Sequence, residues 1–261
     1  MNCLIETALL THGLRSIANE ELAQSWHCPD AILAWVDGGE LKLGPIGEYL
    51  PFRGRSEELI RIDCDHLEEA LQTGASGALT ASGTMAVCRR LDIPMAITCG
   101  MGGIGDLRGE ELCPDLPALM NIPVALISTS PKDMLDRPAT LDWLRRHGVH
   151  TAGEPCTGYL FCGEPVALEL PLSSCNNEAA VRRLTADGGL LILNPIPEKE
   201  RVQDRSILVD AIKAGKQAEA EGHYYHPAAN GEIDRRTGGY SSRIQLESIQ
   251  QNYLLAKSIM D

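Results

Sequence analysis

The chain has 261 residues, of which 44% are hydrophobic and 23% charged, a composition typical of a folded globular protein. Its 23 Lys and Arg residues stand against 36 Asp and Glu residues, which gives a net charge of −13 at pH 7. This balance argues against nucleic-acid or anionic-membrane partners, because phosphate-rich surfaces bind clustered cations. A phosphorylated small molecule is compatible with it only where cations are concentrated locally.

The N-terminus and the cysteines favour a cytoplasmic protein. The opening MNCLIETALLTHG has no basic segment and Glu6 interrupts its apolar run, so it does not match a signal peptide. No window reaches the roughly 18 consecutive apolar residues that a membrane span needs. The nine cysteines are scattered singly, without paired zinc-site spacing, which predicts reduced thiols.

Short apolar runs alternate with amphipathic segments along the whole chain. Strands are predicted over 3–10, 31–37, 40–44, 59–64, 94–99, 123–130, 166–172 and 189–196. Helices are predicted over 18–26, 65–74, 83–91, 138–148, 176–189, 204–222 and 241–260. This alternation predicts a three-layer α/β/α fold in a single domain, 1–261. An apparent hairpin at Gly38 and Gly39 predicts a mixed central sheet.

Residues 100–105 read GMGGIG and match the G-x-G-x-x-G pattern of dinucleotide-binding turns. That pattern requires a helix directly after the glycines and an acidic residue about 20 positions later. Gly109, Pro114 and Pro117 interrupt the segment that follows, and the next strand ends without a carboxylate. We therefore disfavour NAD binding. The glycines instead predict an anion-binding turn at the end of a strand, or a tight connection without a ligand.

Six further blocks of the sequence are distinctive when taken together: ETALLTHG (6–13), TCGMGG (98–103), ELCPD (111–115), STSPKDMLD (128–136), NPIPE (194–198) and RRTGG (235–239). In this order, and over nearly the whole chain, they resemble the pseudouridine-5′-phosphate glycosidases. NPIPE and the lysine block are the most distinctive. The resemblance implies a mixed α/β fold, usually trimeric. It also implies a Mn²⁺-dependent enzyme that splits the C–C glycosidic bond of its substrate into uracil and ribose 5-phosphate.

The resemblance gives Lys132 and Glu6 the catalytic roles. A C-glycoside has no heteroatom leaving group, so its sugar ring must open before a nucleophile adds to C1′. A lysine amine suits this step, because its adduct becomes an imine as the base departs with a proton. We expect Pro131 to start a helix beside Lys132 and so favour the neutral amine. Glu6 matches the proton donor, and burial would raise its pKa for this task.

Glu111 occupies the position of the family's metal-ligand aspartate, and carboxylate ligands suit Mn²⁺ or another divalent cation. The remaining site residues that the resemblance implies are predicted to bind substrate. They are Arg61, Ala81, Thr98, Gly102, Gly103, Cys113, Pro114, Asp115 and Asn194. Among them, Thr98 and the glycine amides are candidate phosphate ligands, and Asp115 is alternatively a helix N-cap.

The sequence also departs from the family pattern. Arg61 replaces a lysine, Ala81 replaces a valine, and a family histidine after the glycine turn has no counterpart. The chain begins close to Glu6, so we expect no leader that reaches a neighbouring subunit. These differences imply an altered phosphate or aglycone pocket. A C-nucleoside synthase, a lyase for another C-glycoside and a non-catalytic sugar-phosphate binder therefore remain alternatives.

Overall fold

The computed structural model describes residues 2–105, 113–186, 188–222 and 225–260. A sheet of nine strands forms the centre of this described part. Its strands are β1 (Cys3–Ile5), β2 (Leu33–Asp37), β3 (Glu40–Gly44), β4 (Ile60–Ile62), β5 (Gly77–Leu79), β6 (Met95–Ile97), β9 (Ala125–Ser128), β12 (His150–Gly153) and β13 (Leu190–Leu193). They are arranged in the order β12-β13-β9-β6-β1-β2-β5-β4, and β3 pairs with β2. Two small ribbons pair β7 (Gly100–Met101) with β10 (Ser130–Pro131) and β8 (Ile104–Gly105) with β11 (Leu135–Asp136).

Helices cover both faces of the sheet, because alternate residues of each central strand face opposite cores. In β6, Met95 and Ile97 enter one core while Ala96 enters the other. One face carries α1 (Asn19–Ser25), α2 (Ile46–Arg53), α7 (Glu178–Ala186), α8 (Ser206–Ala220), α9 (Tyr225–Arg236) and α10 (Tyr240–Met260). The other carries α3 (Leu67–Thr73), α4 (Ala81–Arg90), α5 (Asp115–Asn121) and α6 (Arg137–Arg146).

The predicted three-layer α/β/α fold with a mixed sheet is confirmed. Strand β2 is parallel to β1 but antiparallel to β3 and β5. In the described ranges, no helix is both long and apolar enough to cross a membrane.

Several predicted elements differ from the structure. The strand predicted over 3–10 ends at Ile5, and Leu9–Gly13 forms a π-helical turn instead. The amide and the hydroxyl of Thr11 both donate to the carbonyl of Thr7, which turns the backbone out of the extended conformation. Residues 166–172 contribute only isolated bridges, because the two prolines that bracket 166–170 supply no N–H for a ladder.

Helix boundaries differ as well. The helix predicted from residue 176 begins at Glu178, and Asn177 caps it, since its side-chain oxygen accepts from the amide of Ala180 at 2.9 Å. Helix α9 was absent from the prediction, because Pro227 and Gly231 lower the helix propensity of its sequence. Pro227 lies in the first turn of α9, where the missing N–H has no helical partner to lose.

The carboxyl ends of β1 and β5 meet head to head along one edge of β2, whose other edge is paired with β3. Ile5 pairs with Leu33 of β2, and Ala78 of β5 pairs with Trp35 two residues further along. The amide of Thr7 therefore donates to the carbonyl of Leu79 at 3.1 Å. This junction places the residues that follow both strands at one edge of the sheet.

The fully buried Thr7 hydroxyl holds this junction together, because it donates to Ala34 O at 2.8 Å and accepts from Leu79 N at 3.0 Å. We expect Thr7→Val to lower the free energy of unfolding by about 2 to 4 kcal/mol, since two buried backbone groups lose their partner. Urea unfolding measures this. Thr73→Val is the matched control, because that exposed hydroxyl bonds only within its own helix; equal losses in both variants would contradict the role of Thr7.

Candidate active site

A cavity of about 760 Å³ opens where the sheet strands end, and Arg61, Thr80, Asp115 and Lys132 are among its lining residues. A smaller cavity of about 40 Å³ shares these four residues and is also lined by Glu6. Predicted site residues that are far apart in the sequence therefore lie together at one edge of the sheet. Such an edge is where ligands bind in open α/β folds.

Glu6 follows β1 directly and continues its ladder, since its amide donates to Ile97 O at 2.9 Å. Its side chain is only 6% exposed. Burial raises the pKa of the Glu6 carboxyl to about 7, even though the Thr98 hydroxyl donates to Oε1 at 2.6 Å and Lys132 lies nearby. The carboxyl is thus protonated in a large share of molecules near neutral pH.

Lys132 follows the short strand β10, and its amide donates to Met101 O beside the glycine turn at 3.2 Å. Burial lowers the pKa of its amine, and the positive charge of Arg61 lowers it further, against the opposing effect of Glu6. The predicted helix start at Pro131 is wrong. Pro131 pairs with Met101, and the next helix, α6, begins only at Arg137. Desolvation and a cation, rather than a helix N-terminus, favour the neutral amine.

Asp115 ties the glycine turn to helix α4. Its Oδ2 accepts from the amide of Gly102 at 2.8 Å, and its Oδ1 accepts from the amide of Ser82 at 3.1 Å. Asp115 is the first residue of α5, but neither of these bonds caps its own helix, so the N-cap alternative is wrong. The carboxylate also lines both cavities and remains available to a ligand through its other lone pairs.

The glycine turn is shaped by close packing. A Cβ at Gly100 would lie 2.6 Å from the Tyr159 ring, and one at Gly102 would lie 2.0 Å from Cys113 Sγ. A Cβ at Gly103 would lie 2.5 Å from Thr140 Oγ1. After these glycines, residues 104–105 form strand β8 rather than a helix, unlike a dinucleotide-binding turn.

The other predicted substrate residues fall into two groups. Ala81, Gly102, Cys113 and Pro114 line one of the two cavities. The second group does not line either cavity and comprises Thr98, Gly103 and Asn194. Thr98 is fully buried and its hydroxyl donates to Glu6, whereas Gly103 packs on Thr140. Asn194 donates its side-chain amide to Asn252 of α10 at 3.0 Å.

The predicted metal ligand Glu111 lies outside the described residues. Among the residues that the structure does describe, no group of three or more His, Cys, Asp or Glu side chains is placed to hold a metal ion.

The lining residues that were not predicted from the sequence include Arg15, His226 and Asn230. Arg15 reaches the larger cavity from the loop after the π-helical turn, and His226 reaches it from α9. Asn230, one helical turn beyond His226, lines the smaller cavity with Glu6. An i,i+4 spacing of polar residues in the unpredicted helix was the available signal.

Together these features define an α/β protein with a half-buried lysine of lowered pKa and a buried carboxyl of raised pKa at one sheet edge. The chain belongs to the family described as Indigoidine synthase A like protein, whose model matches residues 4–260.

Curated relatives support the resemblance drawn from the sequence. The chain is 28% identical over 276 residues to a pseudouridine-5′-phosphate glycosidase of Methylobacterium nodulans, which covers 98% of this chain and 81% of that protein. It is 29% identical over 275 residues to that of Saccharopolyspora erythraea, covering 98% and 90% of the two chains. It is 26% identical over 282 residues to that of Escherichia coli, covering 98% and 88%. The relation to this group of proteins is confirmed.

Two solved structures share the fold. An indigoidine synthase A-like protein from Thermotoga maritima superposes with a TM-score of 0.81 at 21% identity, over 98% of this chain and 91% of that one. The prealnumycin C-glycosynthase in complex with ribulose 5-phosphate superposes with a TM-score of 0.75 at 22% identity, again over 98% and 91%.

Glu6→Gln should change stability in a pH-dependent way. The folded-state pKa of about 7 exceeds the ordinary value of 4.5, so the stability from this group is complete below pH 4.5 and is lost as pH rises through 7. Gln mimics the protonated carboxyl. We expect Glu6→Gln to unfold with a free energy about 1 to 3 kcal/mol higher than the wild type at pH 8. The gap should close near pH 4.5.

Urea unfolding at both pH values measures the difference. The exposed Glu154→Gln serves as the control and should show no such dependence. A pH-independent effect of Glu6→Gln would show that the carboxyl is not desolvated.

Proposed function

We propose that this protein is a C-glycosidase-type enzyme that breaks or forms the C–C bond between ribose 5-phosphate and uracil through an imine at Lys132. The observation that carries the proposal is that the buried Glu6 and the half-buried Lys132 line the same small cavity. The names of the curated relatives support the reaction class.

The chemistry uses the two groups in sequence. With the sugar ring open, the neutral amine of Lys132 adds to C1′, and the C1′–base bond then breaks as the lysine nitrogen forms the imine. The departing base carbon takes a proton from Glu6, whose raised pKa suits it to give that proton near neutral pH. Water then hydrolyses the imine, which releases ribose 5-phosphate and regenerates the amine.

Two exposed arginines support a phosphorylated substrate. Arg15, Arg61 and Lys132 line the larger cavity together with the carboxylates of Asp63, Glu69 and Asp115. Arg15 and Arg61 are exposed, and within the described residues neither forms an ion pair with a carboxylate. They are therefore available to bind a phosphate group.

The synthetic direction is the second candidate. The prealnumycin C-glycosynthase shares the fold and was solved with ribulose 5-phosphate, so C-glycoside formation occurs on this scaffold. A catalyst accelerates both directions, and the same two residues would serve either. A non-catalytic binder is disfavoured, because binding alone does not require a lysine amine whose pKa is lowered.

Mn²⁺ or another divalent cation is part of the proposal, with Glu111 as its protein ligand. The described residues contain no cluster of three or more His, Cys, Asp or Glu side chains that could hold the ion, so water and substrate oxygens would supply its other ligands. Such an ion would polarise sugar oxygens during ring opening. None of the proton or bond steps assigned to Lys132 and Glu6 depends on it.

A trimeric assembly and a cytoplasmic location complete the proposal. The trimer rests on the resemblance to the glycosidases. The location is supported by the nine cysteines, all of which are free thiols.

Borohydride trapping tests the imine. Incubation with ribose 5-phosphate and borohydride should add one reduced pentose phosphate to the Lys132 peptide in mass spectra. Lys132→Ala should abolish the adduct, because no other described lysine lines either cavity. Lys199→Ala, which removes an exposed lysine, should trap normally. An adduct spread over surface lysines, or none in the wild type, would refute the imine mechanism.

The metal is tested by Mn²⁺ titration followed by electron paramagnetic resonance, in which bound Mn²⁺ loses the signal of the free ion. We expect Glu111→Gln to weaken binding by 10-fold or more, on the order seen when a metal ligand or its support is lost. Glu154→Gln should bind as the wild type does. Equal affinity in all three proteins would remove Glu111 from the metal site.

A further inference from the structure

We propose that His226 and Asn230 of helix α9 recognise the polar edge of the aglycone. This inference rests on the proposed function and assigns its specificity. The helix packs against the π-helical turn that follows Glu6, which fixes it beside the reacting groups. The two residues are four apart, so they lie on the same face, with Cβ atoms about 6 Å apart.

Both side chains carry buried polar atoms without a partner. Nδ1 of His226 and Oδ1 of Asn230 make no hydrogen bond with any described residue. Leaving a buried polar atom unpaired costs about 1 to 3 kcal/mol, so two such atoms on one face require an explanation. A ligand that bonds to both would offset this cost only when it is bound.

The small cavity that Asn230 lines points to the aglycone. Asn230 lines it with Glu6, and Glu6 must lie against the base carbon that it protonates. Arg15 lines only the larger of the two cavities, whereas Arg61 lines both. Asn230 is therefore placed beside the group that protonates the base, and His226 lies one helical turn before it, lining the larger cavity.

The chemistry of the pair fits an uncharged heterocycle. Burial lowers the pKa of His226 to about 3, and the charges of Lys132 and Arg61 act in the same direction, so the imidazole is neutral in the cell. A neutral imidazole offers one donor and one acceptor, and a carboxamide offers both. Adjacent carbonyl and N–H groups, as on uracil, match this set of donors and acceptors.

The variants Asn230→Leu and His226→Gln separate recognition of the aglycone from imine formation. Leu has nearly the shape of Asn but cannot hydrogen-bond, and Gln keeps hydrogen-bonding groups without an imidazole. We expect Asn230→Leu to trap ribose 5-phosphate at the wild-type rate, yet to raise KM for uracil at least 10-fold in C-nucleoside formation. His226→Gln should show a smaller rise.

Two further readouts exclude a merely structural role. The wild type should have a higher kcat/KM for uracil than for its N-methyl derivatives, and Asn230→Leu should bring the ratio of these kcat/KM values closer to one. Asn230→Leu should also raise the melting temperature of the free enzyme, because it removes an unpaired buried oxygen. Asn121→Leu changes an exposed helix residue that lines neither cavity, and it should leave both the KM for uracil and the substrate preference unchanged.

The outcomes distinguish the two proposals. Failure of the wild type to trap ribose 5-phosphate overturns the proposed function and this inference with it. Normal trapping with unchanged uracil KM in both variants overturns the inference alone. Loss of trapping in Asn230→Leu places Asn230 on the sugar and also overturns it. Normal trapping without coupling of any uracil derivative by the wild type rejects this class of aglycone.

Discussion

A carboxyl and an amine share one small, desolvated cavity, and the chemistry of the site depends on this pairing. Removal from water raises the pKa of Glu6 and lowers that of Lys132, so both groups shift toward their uncharged forms. Their mutual attraction opposes the shift but does not cancel it for either group. An acid that holds its proton and an amine that has lost one are the forms that C–C bond cleavage uses.

The curled, mixed sheet makes this pairing possible. If β5 ran parallel to β1, the carboxyl ends of the two strands would point in the same direction. Because β1 is parallel to β2 and β5 is antiparallel to it, their carboxyl ends instead face each other along one edge of β2. The Thr7 hydroxyl holds the two ends together. The edge strand β4 then brings Arg61 to the same place. A topological irregularity thus creates the cavity.

The glycine turn illustrates how one sequence feature serves packing and function together. Its glycines admit Tyr159, Cys113 and Thr140 at distances that a Cβ would prevent. In the same turn, the amide of Gly102 donates to the Asp115 carboxylate, and the amide of Lys132 donates to the carbonyl of Met101. The loop therefore positions Asp115 and Lys132 through its backbone, and its resemblance to a nucleotide-binding pattern is a consequence of tight packing.

The sequence alone determined the alternation of strands and helices and the mixed sheet, because periodicity and turn signals are contiguous in the chain. Its resemblance to the glycosidases also singled out Glu6 and Lys132 as candidates. It did not determine that Asp115 clamps the glycine turn, that Pro131 joins a strand, or that His226 and Asn230 reach the site. These facts depend on contacts between segments distant in sequence. Only the tertiary structure decides which polar atoms are buried, and burial sets both their pKa values and their need for a ligand.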